Sequence, residues 1–128
     1  SAVEKVRRAG EDGVMLTERG SSFGYNNLVA DMRSLPEMRR LGVPVCFDAT
    51  HSTQLPGAAG DRTGGSREMA AVLARAAVAV GVDAVFLEVH DEPEAALSDA
   101  ATQIRLSEVE PLLRQLSAIH QTHHQRFQ

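Results

Sequence analysis

Residues 43–51 read VPVCFDATH, and this stretch carries the strongest indication of the fold. Its first five residues are a continuous apolar run, which is typical of a strand buried on both faces of a parallel sheet. Similar short runs occupy residues 14–16 and 84–87. The three runs therefore predict three parallel strands.

Helical patterns separate the predicted strands. Residues 67–80 are rich in alanine and contain neither glycine nor proline, so we expect a helix there that ends at Gly81. Ser34 and Glu37 have the spacing of a capping box, which predicts the start of an earlier helix, and Gly42 can end it.

A second capping box at residues 107–110 predicts a helix near the end of the chain. Shorter helices are expected over residues 93–97 and over the first ten residues, which end at Gly10 without a recognisable N-cap. The apolar face of the last helix repeats every 3.6 residues, at Val109, Leu112, Leu113, Leu116 and Ile119. Strands that alternate with helices in this way indicate βαβ crossovers and an α/β fold.

The composition excludes several classes of protein. The chain has 128 residues, a net charge of −4 and 4% aromatic residues, which argues against a surface that binds nucleic acid. Its apolar runs are far shorter than the roughly 20 residues that cross a bilayer, so no membrane partner is expected. The lone cysteine, Cys46, cannot form an intramolecular disulfide, which fits a reducing cytoplasm. We therefore expect a cytoplasmic domain.

Polar residues follow each predicted strand at its carboxyl end, at residues 17–20, 48–51 and 88–90. In a (β/α)₈ barrel the active site is built at that edge from several strands, whereas a doubly wound sheet concentrates it at one switch point. The pattern favours the barrel, which needs eight strands and about 250 residues. We therefore expect residues 1–128 to form the C-terminal part of a single TIM-barrel catalytic domain.

Three side chains in these segments could bind a metal ion. His51, Glu88 and Asp99 lie on neighbouring βα elements, so they can converge on one divalent cation. Mixed imidazole and carboxylate ligands suit Mn²⁺, Fe²⁺ or Zn²⁺ better than Ca²⁺. The alternative is a hydrogen-bonded histidine beside two solvated carboxylates.

Two further features suggest that anionic substrates bind at this edge. Arg19 precedes a loop of small residues, which suits binding of a phosphate or carboxylate, although it could instead pair with Glu18 or Asp48. The glycine-rich stretch after His51 is long for a loop in a compact domain. We interpret residues 52–66 as an active-site lid, with a disordered linker as the alternative.

These segments resemble, in the same order, the motifs of the sixth, seventh and eighth strands of the 3-deoxy-D-manno-octulosonate 8-phosphate synthases (Kdo8P synthases). The resemblance extends from residue 14 to residue 119. The motifs that carry it are TERG (17–20), FGYNNLV (23–29), FDATHS (47–52), QLPG (54–57), GGSRE (64–68), ARAAVAVG (74–81), FLEVH (86–90) and ALSDA (96–100).

The resemblance implies a homotetrameric (β/α)₈ transferase of lipopolysaccharide synthesis. It implies condensation of phosphoenolpyruvate with D-arabinose 5-phosphate and release of inorganic phosphate by C–O cleavage. By the same resemblance Arg19 would bind the phosphate of phosphoenolpyruvate, with Gln54 and Asp48 as further substrate-binding residues. His51 and Asp99 would be catalytic. His51, Glu88 and Asp99 would be three of four metal ligands, the fourth being an upstream cysteine that these residues do not include.

Several alternatives stay open. The QLPG segment resembles the metal-dependent members, but a metal-independent subclass is not excluded, because the position that separates the two lies upstream. A related synthase of the heptulosonate type is the second candidate, and a non-catalytic truncated remnant is the third. An isolated chain of this length is expected to be inactive and poorly folded, because its sheet edges are exposed.

Overall fold

The computed structural model describes residues 1–24, 27–59 and 62–126. Short 3₁₀ helices cover His51–Thr53 and Pro93–Ala95. The α-helices are α1 (Ala2–Arg8), α2 (Ser34–Arg39), α3 (Arg67–Val80) and α4 (Leu106–Arg126). The strands are β1 (Leu16–Glu18), β2 (Ser21–Ser22), β3 (Leu28–Val29), β4 (Val45–Asp48), β5 (Gln54–Ala59), β6 (Arg62–Gly65), β7 (Ala84–Phe86), β8 (Val89–His90) and β9 (Ile104–Arg105).

The central sheet has three parallel strands in the order β1-β4-β7, which confirms the predicted number and direction, although β1 begins only at the last residue of the apolar run 14–16. Cys46 in β4 pairs with Thr17 on one side and with Ala84 on the other. Only β4 is buried along its whole length, because β1 and β7 each have one strand neighbour in the described sheet. The prediction that all three strands are buried on both faces is therefore wrong for β1 and β7.

Helix α3 has the bounds that the sequence predicts, and Gly81 ends it in the left-handed conformation with φ of 108°. Its small side chains allow a close approach to the sheet, and Ala70, Ala74 and Ala77 are fully buried. Helix α4 begins at Leu106 and packs on α3. The prediction that Leu113 lies on the buried apolar face of α4 is wrong, since this residue is 51% exposed.

The predicted capping box at Ser34 is also wrong. Ser34 is the first residue of α2 rather than its N-cap, and its hydroxyl donates a hydrogen bond to Glu18 Oε2 at 3.1 Å. A tertiary contact with β1 therefore replaces the local cap. By contrast, the prediction that the first helix has no recognisable N-cap is wrong, because Ser1 and Glu4 have the spacing of a capping box and the Ser1 side chain accepts a hydrogen bond from the Glu4 backbone N–H.

The glycine-rich stretch after His51 forms an antiparallel hairpin rather than an irregular loop. Gln54 of β5 is paired with Gly65 of β6, and Leu55 is paired with Gly64. Residues 60–61 lie outside the described residues, as do Tyr25 and Asn26 of the FGYNNLV motif. The role of residues 52–66 as a lid stays a prediction.

The core lies between the sheet and helices α2, α3 and α4, and it surrounds β4. Phe47 is fully buried there, and Ile104, at the start of β9, is 3% exposed. Burial also raises the pKa of the Cys46 thiol, with a further contribution from the charge of Asp48. In the described part of the chain, no helix combines enough length with enough apolar character to cross a membrane.

Candidate metal centre

Three predicted site residues meet at the carboxyl edge of the central sheet. His51 follows β4, Glu88 follows β7, and Asp99 lies on the segment that leads to β9. Each side chain is partly buried and offers one ligand atom, and these atoms all lie within 4.8 Å of one another. The topology therefore creates one cluster of an imidazole and two carboxylates from three separate segments.

Asp48 fixes the orientation of the His51 ring. Its Oδ2 lies 2.7 Å from His51 Nδ1, and its Oδ1 accepts a hydrogen bond from the His51 backbone N–H at 3.0 Å. A proton on Nδ1 leaves Nε2 as the free ring nitrogen, and Nε2 lies 3.6 Å from Glu88 Oε2. The His51 ring also packs against Phe86, with ring centroids 5.7 Å apart. Asp48 therefore directs Nε2 toward the carboxylates.

The two oxygens of Glu88 have different surroundings. Oε1 accepts a hydrogen bond from Gln103 Nε2 at 3.0 Å. Oε2 is buried and has no hydrogen-bond partner among the described residues, although it faces His51. A buried carboxylate oxygen without a donor is costly, and a cation between it and the imidazole would remove that cost.

Asp99 has an uncommon backbone conformation for a residue other than glycine, with φ of 49°. Its carbonyl accepts hydrogen bonds from the backbone N–H groups of Thr102 and Gln103, at 2.9 and 3.1 Å. Its Oδ1 accepts a hydrogen bond from Gln54 Nε2 at 2.6 Å. Gln54, predicted to bind substrate, therefore connects the base of the hairpin to a candidate ligand.

The cluster fits a divalent transition ion. Its donors are an imidazole nitrogen and carboxylate oxygens, a mixture that suits Mn²⁺, Fe²⁺ or Zn²⁺. The unpartnered Oε2 of Glu88 adds an electrostatic reason for a cation at this position. Metal binding by His51, Glu88 and Asp99 nevertheless stays a prediction.

Arg19 is exposed at the end of β1, near the same edge of the sheet. Within the described residues it forms no ion pair, so the predicted alternative pairs with Glu18 and Asp48 are absent. Glu18 instead accepts hydrogen bonds from the Gly20 backbone N–H and from the Ser34 hydroxyl. The Arg19 guanidinium is thus accessible to an anion.

Three buried polar residues at the site had no role in the sequence-based interpretation. Thr50 and Thr102 are fully buried and Gln103 is 5% exposed. Thr50 Oγ1 donates to Asp48 Oδ1 at 3.3 Å and accepts from the Glu88 backbone N–H at 3.2 Å, which joins β4 to the end of β7. Thr50 directly precedes His51 in the sequence, a signal that could have marked it, whereas Thr102 and Gln103 are not adjacent to a predicted ligand.

An ion-pair cluster holds the segment between β8 and β9 against α3. Glu94 contacts Arg67 at 3.0 Å and Arg105 at 2.7 Å. The pKa of the Glu94 carboxyl is lowered to about 2, because it accepts a hydrogen bond from its own backbone N–H and faces these two guanidinium groups. Arg67 also donates to the Ala100 carbonyl, next to Asp99.

Residues 1–124 match the sequence model of the DAHP synthetase I family. The chain belongs to this family. Family membership agrees with the α/β architecture and its parallel central sheet.

Curated relatives of this chain are named 2-dehydro-3-deoxyphosphooctonate aldolase, a synonym of Kdo8P synthase. The protein from Cyanothece sp. is 58% identical over 119 residues, which are 93% of this chain and 44% of the relative. The protein from Synechococcus sp. is 59% identical over 116 residues, or 91% of this chain and 41% of the relative. The chain thus spans less than half the length of these relatives.

A solved structure with the same fold is the phospho-2-dehydro-3-deoxyheptonate aldolase (DAHP synthase) of Thermotoga maritima. It superimposes with a TM-score of 0.77 at 27% identity and covers 94% of this chain. The match takes up 33% of the Thermotoga chain. Identity is thus about twofold higher to the octonate relatives than to this heptonate enzyme.

Proposed function

We propose that the chain is the C-terminal part, with strands six to eight, of a (β/α)₈ Kdo8P synthase. In this proposal β1, β4 and β7 are those three strands. The whole enzyme condenses phosphoenolpyruvate with D-arabinose 5-phosphate and releases inorganic phosphate. The observation that carries the proposal is the convergence of His51, Glu88 and Asp99 at the carboxyl edge of the sheet. The 58% identity to the Cyanothece octonate aldolase supports the same substrates.

The cationic group in the proposed mechanism is Arg19. Its guanidinium is exposed near the carboxyl edge and makes no ion pair within the described chain, so it is available to bind the phosphate of phosphoenolpyruvate. A planar guanidinium can donate two parallel hydrogen bonds to a phosphate, which fixes its orientation. Arg19 therefore orients one substrate at this edge of the sheet.

His51, Glu88 and Asp99 would hold a divalent ion such as Mn²⁺, Fe²⁺ or Zn²⁺. A bound ion of this kind supplies Lewis acidity to a substrate carbonyl or to water. Asp48 was predicted to bind substrate, but both of its oxygens accept hydrogen bonds from His51. We therefore propose that Asp48 acts by holding His51 Nε2 toward the ion. Gln54 similarly holds the Asp99 carboxylate.

The remaining implications of the resemblance belong to the same proposal. They are a role in lipopolysaccharide synthesis, a cytoplasmic location, a homotetramer, and closure of residues 52–66 over the substrates as a lid. The hairpin supports the last of these, because Gln54 at its base contacts a candidate ligand. Light scattering of the assembled enzyme is expected to give the mass of four copies, and a monomer mass would contradict that part.

The decisive experiment is a chimera, in which this chain replaces the stretch that it matches in the Cyanothece relative. We expect the purified chimera to release phosphate from phosphoenolpyruvate only when D-arabinose 5-phosphate is added. His51→Ala is expected to lower kcat by roughly 100-fold or more, the scale of losing a positioned catalytic group. The matched control is His90→Ala, because His90 contacts Asp91 and Glu92 rather than the cluster.

The outcomes separate the alternatives. Phosphate release with erythrose 4-phosphate but not arabinose 5-phosphate would indicate the heptulosonate type. A folded chimera without release from either sugar would indicate a non-catalytic remnant. Full activity after exhaustive treatment with a chelator would place the chain in the metal-independent subclass and remove the metal from the proposal.

A further inference from the structure

We propose that Gln103 is a positioning residue that holds two metal-ligand candidates, Glu88 and Asp99, at a set separation. This inference rests on the proposed metal site and adds to it a residue outside the ligand set. Gln103 precedes β9 and is 5% exposed, so its side chain is fixed by its surroundings.

Both N–H groups of the Gln103 side-chain amide have acceptors. One donates to Glu88 Oε1 and the other to the Ser98 carbonyl, each at 3.0 Å. The Gln103 backbone N–H donates to the Asp99 carbonyl at 3.1 Å. One residue therefore connects the carboxylate after β7 to both Ser98 and Asp99 on the next segment.

The orientation of this amide is determined by its partners. A flipped amide would place Oε1 against the Glu88 carboxylate and the Ser98 carbonyl, which are both acceptors. In the observed orientation Oε1 is buried and has no partner within the described chain. A buried amide oxygen without a donor is unfavourable, so Gln103 is placed for its two donated hydrogen bonds at a cost to stability.

Gln103 therefore gives the two carboxylate oxygens of Glu88 different surroundings. The Gln103 amide donates a hydrogen bond to Glu88 Oε1. Glu88 Oε2 is therefore the oxygen directed toward His51 Nε2, at 3.6 Å. The same amide holds the segment on which Asp99 adopts its uncommon φ of 49°. Partners of metal ligands that hydrogen-bond in this way commonly change metal affinity when they are removed.

The test is a Co²⁺ titration of the chimera, which carries the full chain, followed by visible absorption. Gln103→Met keeps the side-chain length but removes both donors, and we expect Co²⁺ to bind about 10–100-fold more weakly. We also expect the d–d band to change shape, because the Glu88 carboxylate is no longer held through Oε1.

The matched control is Gln115→Met on α4, where Gln115 contacts Arg75 and lies outside the cluster. It is expected to leave both the affinity and the band unchanged. The thermal midpoint of the metal-free variants, measured in parallel, separates positioning from general loss of structure. A lowered midpoint in Gln103→Met with an unchanged band and affinity would overturn the proposal, since it would assign Gln103 a structural role alone.

The two proposals fail in different ways. If the chimera binds Co²⁺ but Gln103→Met binds it equally well with the same band, the role of Gln103 is overturned and the metal site is retained. If the unsubstituted chimera develops no Co²⁺ band, the metal site is overturned and the role of Gln103 with it.

Discussion

The two sides of the candidate metal centre are built on different principles. His51 follows β4, which is buried along its whole length in the apolar core. Glu88 and Asp99 belong to the region after β7, residues 88–105, where hydrogen bonds and ion pairs of Gln103, Glu94 and Asp99 add to the burial of Ile104. The strand before His51 thus rests on apolar packing, whereas the segments that carry the other two candidate ligands depend on polar contacts as well. The stability of the β4 side should therefore respond to cavities, whereas the stability of the region after β7 should respond to pH and to changes in single hydrogen bonds.

The largest expected effect comes from a cavity on the β4 side. Phe47→Ala removes a fully buried ring, and we expect the free energy of unfolding to fall by about 3–5 kcal/mol. The matched control is Phe86→Ala on β7, whose side chain is 45% exposed, and it should cost roughly 1 kcal/mol or less. Urea unfolding of both variants measures the difference. Equal losses of unfolding free energy would show that β4 and β7 contribute alike, which would contradict the proposed difference between the two sides.

A smaller effect is expected where the hairpin packs on the region after β7. A Cβ atom at Gly65 would lie 2.2 Å from Thr102 Cγ2 and 3.0 Å from the Thr53 carbonyl oxygen. Because Thr102 is fully buried, we expect Gly65→Ala to destabilise the fold by roughly 1–3 kcal/mol. In the control Gly13→Ala, the new methyl group meets only the flexible side chain of Glu11. Thermal unfolding that shifts equally in both variants would contradict the close contact.

The smallest effect concerns the pH dependence of the polar side. The pKa of Glu94 is lowered to about 2 from a value of 4.5, so its ionised form is favoured in the folded state. Its contribution to stability is therefore present above pH 4.5 and is lost as the pH falls toward 2. The urea midpoint of Glu94→Gln should lie below that of the parent at pH 6, and the gap should close toward pH 2. Since Glu94 is exposed, the gap should also shrink in high salt. A gap that stays constant with pH would show that Glu94 acts through packing rather than charge.

The sequence predicted best what is local and repetitive. The bounds of α3 follow from an uninterrupted run of helix-forming residues that ends at a glycine, and the three parallel strands follow from their apolar runs. The predictions from sequence failed where a contact with a residue distant in the chain decides the structure. Ser34 has the spacing of a cap, but Glu18 on β1 takes its hydroxyl. Leu113 has the right period, but α4 has nothing in the described chain to cover that face.

In the candidate site, too, some residues could be predicted from the sequence and others could not. His51, Glu88 and Asp99 could be selected because imidazole and carboxylate groups after parallel strands must share one edge of the sheet. Thr50 and Gln103 could not be assigned roles, since an uncharged side chain does not reveal its partner before the strands are placed. The hairpin at residues 54–65 was missed because its glycines and proline are typical of a loop, whereas backbone pairing such as Leu55 with Gly64 makes it a pair of strands.

The positive φ of Asp99 restricts what this position can accept in the course of evolution. Glycine would adopt the backbone angle easily but has no carboxylate, and asparagine tolerates the angle but is neutral. Glutamate keeps the charge but lacks the short side chain that makes aspartate tolerable there. Aspartate meets both the carboxylate requirement of the proposed metal site and the short side chain that this backbone angle favours. In a saturation library selected for function, this position is expected to be among the least variable, ahead of most of the buried apolar core.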